Sequence, residues 1–337
     1  MLYILHLKEA AGAMEIPWII DLEDHQASGI RDFTRYHANG EREEVMSAVM
    51  DGIGPHGLYN VTDTVMCKMP TGVTPEEASR MVHEHRRGWE TFFVDSGSMY
   101  LYVDGKRCVI REGDIVQLQP RQIHSMASME DVKWRGFFHD LDSFQTSIAV
   151  NEVADRLQPG IKQDPAFQKA QGAKDHVRHE QPTFTDVPAE TVNAVKNPAR
   201  PLARFDFPGL TVKVIVPRWE NGGVTELVLG EMAAGKKLSW GYHPCREQYY
   251  VRSGRVKLTL FGEERIAKAG CIINVPMLAP FTLEALEDAA VYDVGGQTEW
   301  FSFLLDYDSL RTYSPERLSE ALPALMERCG VAVTNLN

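Results

Sequence analysis

The sequence predicts an all-β chain with minor helices, built as two similar small barrels in tandem. Three observations predict it. The first is a repeat: "VDSGSMYLYVDGKRCVIREGDIVQLQP" (94–120) lies over "VRSGRVKLTLFGEERIAKAGCIINVP" (251–276). Gly97, Gly105 and Gly113 fall on Gly254, Gly262 and Gly270 at one constant offset, and Glu90 falls on Glu247 at the same offset. A further echo sets "WRGFFHDLDSF" (134–144) against "WFSFLLDYDSL" (300–310). Glycines and apolar positions kept in register over such a length mark a duplicated domain. The second observation is the texture of each copy. "ETFFVDSG" and "MYLYVDG" are rich in aromatic and β-branched residues and are bounded by glycine turns, which is the pattern of short strands. The third is length, since 337 residues suit two ordinary domains, each able to bury a core.

Taken in chain order, residues 1–60 form an N-terminal arm or extra strands, and residues 61–149 form the first barrel. Within it, Asp104-Gly105 supplies the positive φ of a tight hairpin, and "REGD" makes a second turn. Residues 150–204 turn polar and carry Pro159, Pro165, Pro182 and Pro188, which reads as a linker with a short helix. Residues 205–312 form the second barrel, and 313–337 a C-terminal helix and tail. Ser314 is the expected N-cap, Pro315 occupies the first turn, Pro323 kinks the helix, and Gly330 stops it.

Composition excludes several functions. A formal charge of -12 argues against a nucleic-acid partner, which needs a surplus of Lys and Arg on one face. No helix-turn-helix signal is present. The five cysteines (Cys67, Cys108, Cys245, Cys271, Cys329) are odd in number and lack a CxxC pair. They are expected to be reduced thiols of a cytoplasmic protein. The N-terminal run is interrupted by Lys8 and Glu9, so no signal peptide is expected. No apolar run reaches the length of a membrane span.

The chemistry gathers around "HEHRRGWE" (83–90). Residues two apart on a strand point to one side, so His83 and His85 aim both imidazoles into one space. Glu90 opens the next strand and can bring a carboxylate alongside. "GDIVQLQPRQIH" then returns a third imidazole, His124. Three neutral imidazoles and a carboxylate suit a divalent first-row metal with positions left open for substrate.

These residues resemble the two motifs of the cupin superfamily. His83-x-His85-x4-Glu90 with Gly97 matches the first, and Gly113-Asp114, Pro120 and His124 match the second. Three departures stand out. The leading Gly of the first motif is out of place, Gln122 replaces a Gly, and the Gly113–Pro120 spacing is one residue longer than the pattern. Because the resemblance covers both halves, it implies a bicupin, with two double-stranded β-helix (jelly-roll) barrels in one chain. It also implies that His83, His85, Glu90 and His124 hold one divalent transition metal. Fe(II) is expected first, and Mn, Ni, Zn and Cu are compatible with the same donors. In the second half His243 and Glu247 remain, but Gly241 stands in the place of a histidine and Pro280-Phe281 near the last one. That barrel is expected to be metal-free.

The resemblance leads first to a dioxygenase acting on a small phenolic, enolic or hydroxy-acid compound. The alternatives are a non-redox isomerase, lyase or decarboxylase, and a non-catalytic ligand-binding bicupin. Glu84, Tyr100 and Tyr102 are the candidate acid–base residues. Trp89, Gln117 and Arg121 are the candidate substrate contacts, with barrel packing as the competing role for the aromatic residues. His139 is expected at the surface, and His176 and His179 in a solvated loop. The expected partners are a small molecule and a second copy of the chain, with no nucleic acid or membrane.

Overall fold

A computed structural model describes residues 18–21, 30–36, 42–50, 62–69, 82–86, 89–130, 132–139, 157–161, 164–167, 176–179, 183–223, 225–242, 247–295 and 298–336. Strands pair as two barrels. The first packs a seven-stranded sheet against a six-stranded one. In order, the larger sheet is Val195–Lys196, Ile115–Leu118, Trp89–Ser96, Val132–His139, Thr62–Met69, Arg42–Met50 and Ile30–Tyr36. The smaller is His176–Arg178, His83–His85, His124–Ser128, Ser98–Val103, Lys106–Arg111 and Thr185–Asp186.

The second barrel repeats this order. Its larger sheet runs Ile19–Asp21, Cys271–Val275, Glu247–Ser253, Ala289–Asp293, Leu227–Met232, Leu210–Val216 and Ala203–Phe207. Its smaller sheet is Glu263–Lys268, Arg255–Leu260, Phe281–Ala285, Lys237–Trp240 and Val333–Thr334. The glycine register read from the sequence is therefore a register of folds. Asp104 (φ 48) and Gly105 (φ 77) make the expected hairpin turn.

The lead-in segments cross over. Ile19–Asp21 precedes the first barrel but pairs with the second, Ile19 opposite Ile273. Val195–Lys196 precedes the second barrel but pairs with the first, Val195 opposite Val116. Each arm thus closes a sheet edge of the other barrel, which removes an unpaired ladder from solvent.

Two expectations are corrected. The span 150–204 is more than a linker, because His176–Arg178, Thr185–Asp186 and Val195–Lys196 all join the first barrel. Short edge strands take their register from the partner ladder and need no apolar alternation of their own. The echo of 134–144 in 300–310 is not structural. Trp134 lies in a strand, whereas Trp300–Tyr313 is a helix that buries Trp300, Phe303, Leu304 and Tyr307 at helical spacing. Ser314 closes that helix and also stands at the N-cap position of the short 3-10 turn Pro315–Arg317 that leads into the next, with Pro315 in the first turn as expected and no capping hydrogen bond from its side chain. The following helix, Leu318–Cys329, contains Pro323 and stops at Gly330 (φ 62), as expected.

Each barrel has its own apolar interior. Phe92, Val94, Met99, Leu101, Val103, Val116, Leu118 and Trp134 fill the first. A third cluster joins the two, and equivalent positions meet there. Phe93 faces its counterpart Tyr250 with ring centroids 5.3 Å apart, and Phe93 meets Tyr292 at 4.8 Å. The Arg135 guanidinium sits 4.8 Å above the Tyr250 ring. Asp95 is the charge at this seam. It accepts hydrogen bonds from Arg135, from Arg252 at 2.9 Å and from the Tyr250 hydroxyl at 3.0 Å. Burial is the main cause holding that phenol well above its ordinary range, so it stays a donor. Arg135 also donates to the Gly270 carbonyl across the seam, at 2.7 Å.

This arrangement makes a stability prediction. Arg135 is 2% exposed, and removing its carboxylate partner leaves a buried cation uncompensated. Asp95→Ala should lower the unfolding free energy by about 3–5 kcal/mol, measured by urea denaturation. A loss below about 1 kcal/mol, the range of an exposed ion pair, would show that the seam does not depend on this charge.

Candidate metal centre

Strand alternation sorts the first barrel's side chains onto two faces. On Trp89–Ser96, Phe92 and Val94 point into the barrel, and Glu90 shares their face. In the opposite sheet, His124 stands directly across from Val103 and Met126 from Leu101. Since Val103 and Leu101 line the interior, His124 faces inward as well. His83 pairs with His124 in the neighbouring register.

The four side chains converge. One ligand atom from each of His83, His85, Glu90 and His124 lies within 4.8 Å of all the others. Glu90 Oε2 is 3.2 Å from His124 Nε2 and 3.7 Å from His85 Nε2. The His83 and His124 rings are 4.2 Å apart, and those of His83 and His85 are 5.1 Å apart. Glu90 is 4% exposed and His124 2%. Donors bound about 2.1 Å from a common ion lie no more than about 4.2 Å apart, and the 3.2 and 3.7 Å separations fall within that reach.

The state of His124 argues for a cation. Its Nδ1 lies 2.8 Å from the Gln122 carbonyl oxygen. A carbonyl can only accept, so Nδ1 carries the proton and Nε2 presents a lone pair in the neutral ring. Nε2 is buried without a hydrogen-bond partner and looks at a carboxylate oxygen. Two lone-pair bearers at that distance in a dry interior repel unless a proton or a metal ion lies between them. A metal ion satisfies both, and the carbonyl fixes the ring's tautomer, as is usual for metal-bound histidine.

Sequence reasoning missed the groups that hold this geometry. The turn before His124 is braced by Asp104, whose carboxylate accepts from Ile123 N–H at 3.2 Å and from Gln122 Nε2 at 3.0 Å. Gln122 Oε1 accepts from Gln119 N–H at 2.8 Å. The replacement of the usual glycine by Gln122 was the available signal. The ligand strand is also held from its other edge by the 176–178 segment. His176 pairs with His85, Val177 with Glu84 and Arg178 with His83, and His179 N–H donates to the Val82 carbonyl at 2.9 Å.

The other candidates lie elsewhere. Glu84 sits between the two ligands on the strand and faces the opposite way, where its carboxylate is 3.5 Å from His179 Nε2. His179 is therefore half-buried beside the ligand strand and is not in a solvated loop. Tyr100 and Tyr102 stand across from Ala127 and Ser125, on the outer face. Tyr102 packs edge-on against Phe184 at 4.5 Å. Trp89 and Gln117 face the seam: Trp89 lies against Gly222, and Gln117 bonds to Thr91 and Asn221. Arg121 is exposed in a turn (φ 68), and its backbone N–H donates to the His85 carbonyl at 2.6 Å. Of the first barrel's buried polar residues among those described, Thr91, Gln117 and Arg135 face the seam and Ser125 the outer face. Glu90 and His124 remain inside. The side chain of His139 lies outside the described residues.

In the second barrel, aromatic rings stand at positions equivalent to two of the first barrel's imidazoles. Trp240 pairs with Phe281 as His83 pairs with His124. Their rings stack at 4.5 Å with planes 7° apart. Tyr242, at the place of His85, is 76% exposed. This corrects the sequence alignment that put Gly241 and His243 at the ligand positions; His243 itself lies outside the described residues. Glu247 keeps the place of Glu90 but accepts from the Tyr249 hydroxyl at 3.2 Å and from Thr298 Oγ1 at 3.4 Å. Burial and the Glu247 charge raise the Tyr249 phenol far above its usual range, so it remains a donor. Indole and phenyl rings fill the space that imidazoles line in the first barrel.

Comparison with known proteins agrees with this architecture. Residues 67–138 match the model of the cupin domain. Among solved structures, the chain is similar to oxalate decarboxylase from Bacillus subtilis, with a TM-score of 0.50 and 14% identity over 82% of this chain and 75% of that one. A single-site variant of that enzyme aligns over 90% of this chain and 86% of its own, again with 14% identity and a TM-score of 0.50. No curated protein sequence matches the chain. Fold, motif and comparisons agree on the class: residues 67–138 are similar to the cupin domain, and the chain as a whole shares the two-barrel fold of the solved structures it resembles. Among the described residues, no helix is long and apolar enough to cross a membrane.

Metal content tests the centre. Elemental analysis of wild-type protein should find about one divalent ion per chain, and His83→Ala/His85→Ala should lose it while His243→Ala keeps it. Equal metal in wild type and the double variant would contradict the assignment, and loss on His243→Ala would place an ion in the second barrel.

Proposed function

We propose that the chain is a mononuclear metal-dependent enzyme that cleaves a small carboxylic acid without consuming an external oxidant, a lyase of the decarboxylase kind. The observation that carries this reading is the convergence of His83, His85, Glu90 and His124 within 4.8 Å on the inner face of the first barrel. When bound there, a divalent ion such as Mn(II) or Fe(II) supplies Lewis-acid polarisation of a substrate oxygen.

The chain's own residues do the rest. Three neutral imidazoles and one carboxylate leave a net positive charge at a divalent centre, which favours an anionic oxygen ligand. Phe92, Leu101, Val103 and Leu118 line the surrounding interior, exclude water, and so strengthen that attraction. The Gln122 carbonyl keeps the proton on Nδ1 of His124 and holds Nε2 in its donor form. A carboxylate substrate suits this electrostatic setting, and the named activity of the similar solved bicupins supports it.

The dioxygenase expected from the sequence uses the same donors, and the comparisons favour the lyase over it. A homodimer in solution and a cytoplasmic setting belong to the same proposal.

Gas exchange separates the two reactions. Metal-loaded protein should be assayed against small mono- and dicarboxylic acids, with CO2 release and O2 uptake followed together. The lyase reading predicts CO2 release without stoichiometric O2 uptake. Uptake of about one O2 per substrate consumed would replace it with the oxygenase.

A further inference from the structure

Among the described residues the metal donor set belongs to the first barrel, yet a loop of the second barrel reaches the back of that centre. After Leu210–Val216 the chain makes a short 3-10 turn, Arg218–Glu220, and then passes through Asn221, Gly222 and Gly223. This loop lies against the face of Trp89–Ser96 opposite to Glu90. The Trp89 ring sits on Gly222, so close that a Cβ there would be 2.6 Å from ring atom Cζ2 and 2.9 Å from Cε2. Asn221, 3% exposed, accepts through Oδ1 from Gln117 Nε2 at 3.3 Å. Gln117 Oε1 in turn accepts from the Thr91 hydroxyl at 2.5 Å. Gln119 Nε2 donates to the Glu220 carbonyl at 3.3 Å, and Lys196 Nζ meets the Glu220 carboxylate at 2.5 Å.

Trp89 and Thr91 are the two residues that flank Glu90. Both are held by the loop, one by direct packing and one through Gln117. Side chains alternate along a strand, so fixing the flanking residues outward fixes Glu90 inward. We propose that the loop 217–223 of the second barrel is the positioning element for the metal-binding carboxylate of Glu90. The inference rests on the metal-centre reading above. It gives the second barrel a part in the chemistry of the first. Gly222 is required there for two reasons: its φ is +65°, and any side chain would push the indole and the start of the strand. Ligand distances at a metal site tolerate shifts of only about 0.2 Å, so a small displacement of the strand is felt in affinity.

The test is a double-mutant cycle read by Mn(II) titration of the full chain with EPR detection, alongside thermal unfolding of each metal-free protein. Gly222→Ala should weaken Mn(II) binding by about 10-fold or more, the usual scale for groups that orient metal ligands. On a Trp89→Ala background, adding Gly222→Ala should weaken binding at least about fivefold less than it does in wild type, because the clash is gone while the backbone strain is common to both arms and cancels in the difference. Asn221→Ala, which carries no such strain, should also weaken binding. If wild type binds one Mn(II) and Gly222→Ala and Asn221→Ala bind it equally well, the loop only packs and the inference is overturned, whatever happens to the unfolding temperature. A full loss on the Trp89→Ala background overturns the route through Trp89. If wild type itself binds no Mn(II), the metal-centre reading fails and takes this inference with it.

Discussion

The chemistry of this protein depends on one repulsion that the fold enforces and a cation relieves. Glu90 and His124 are both almost wholly buried, and an oxygen of one faces a ring nitrogen of the other at 3.2 Å. The hydrogen bond from His124 Nδ1 to the Gln122 carbonyl puts the proton on the far side of the ring. Left alone, such a pair costs free energy in a dry interior. With His83 and His85 beside it, the same pair becomes half of a donor set. The brace from Asp104 through Gln122, the 176–178 edge strand and the loop from the second barrel all act to keep the pair in place.

Duplication supplies an internal control for this account. The two barrels share strand order, hairpin glycines and a buried glutamate at matching positions. They differ where it decides function. In the second barrel Trp240 and Phe281 stack where His83 and His124 stand in the first, and Glu247 is satisfied by hydroxyl donors. One frame therefore serves two ends. With imidazoles it creates an electrostatic demand for metal, and with aromatic rings it closes the same space by packing. The seam repeats the theme, since Phe93 meets its own counterpart Tyr250 and Asp95 meets its counterpart Arg252.

Much of this was legible in the sequence, and the reasons are physical. Glycines that need positive φ keep their place through duplication, so Gly97, Gly105 and Gly113 revealed the repeat and its strands. The period of a strand put His83 and His85 on one side, and the order of ligands did the rest. What was not legible were relations across the fold. Glu84, Tyr100 and Tyr102 are close to the ligands in sequence, but alternation turns them away, which only the known register makes certain. Trp89 and Gln117 looked like pocket residues because nothing in the sequence shows that a loop more than a hundred residues on packs behind them. The segment 176–178 looked like linker because a three-residue edge strand borrows its order from its partner. In the second half, a histidine near the right place, His243, drew the alignment off by one, whereas strand pairing fixes Trp240 and Phe281 as the true counterparts.

The central claim is that three imidazole nitrogens and one carboxylate oxygen of the first barrel meet at a single ion. X-ray absorption at the edge of the bound metal reads that shell directly. The account predicts a nitrogen/oxygen shell near about 2.1 Å with outer-shell scattering from about three imidazoles, lost in the His83→Ala/His85→Ala protein. A spectrum of a hydrated ion without imidazole scattering would contradict it.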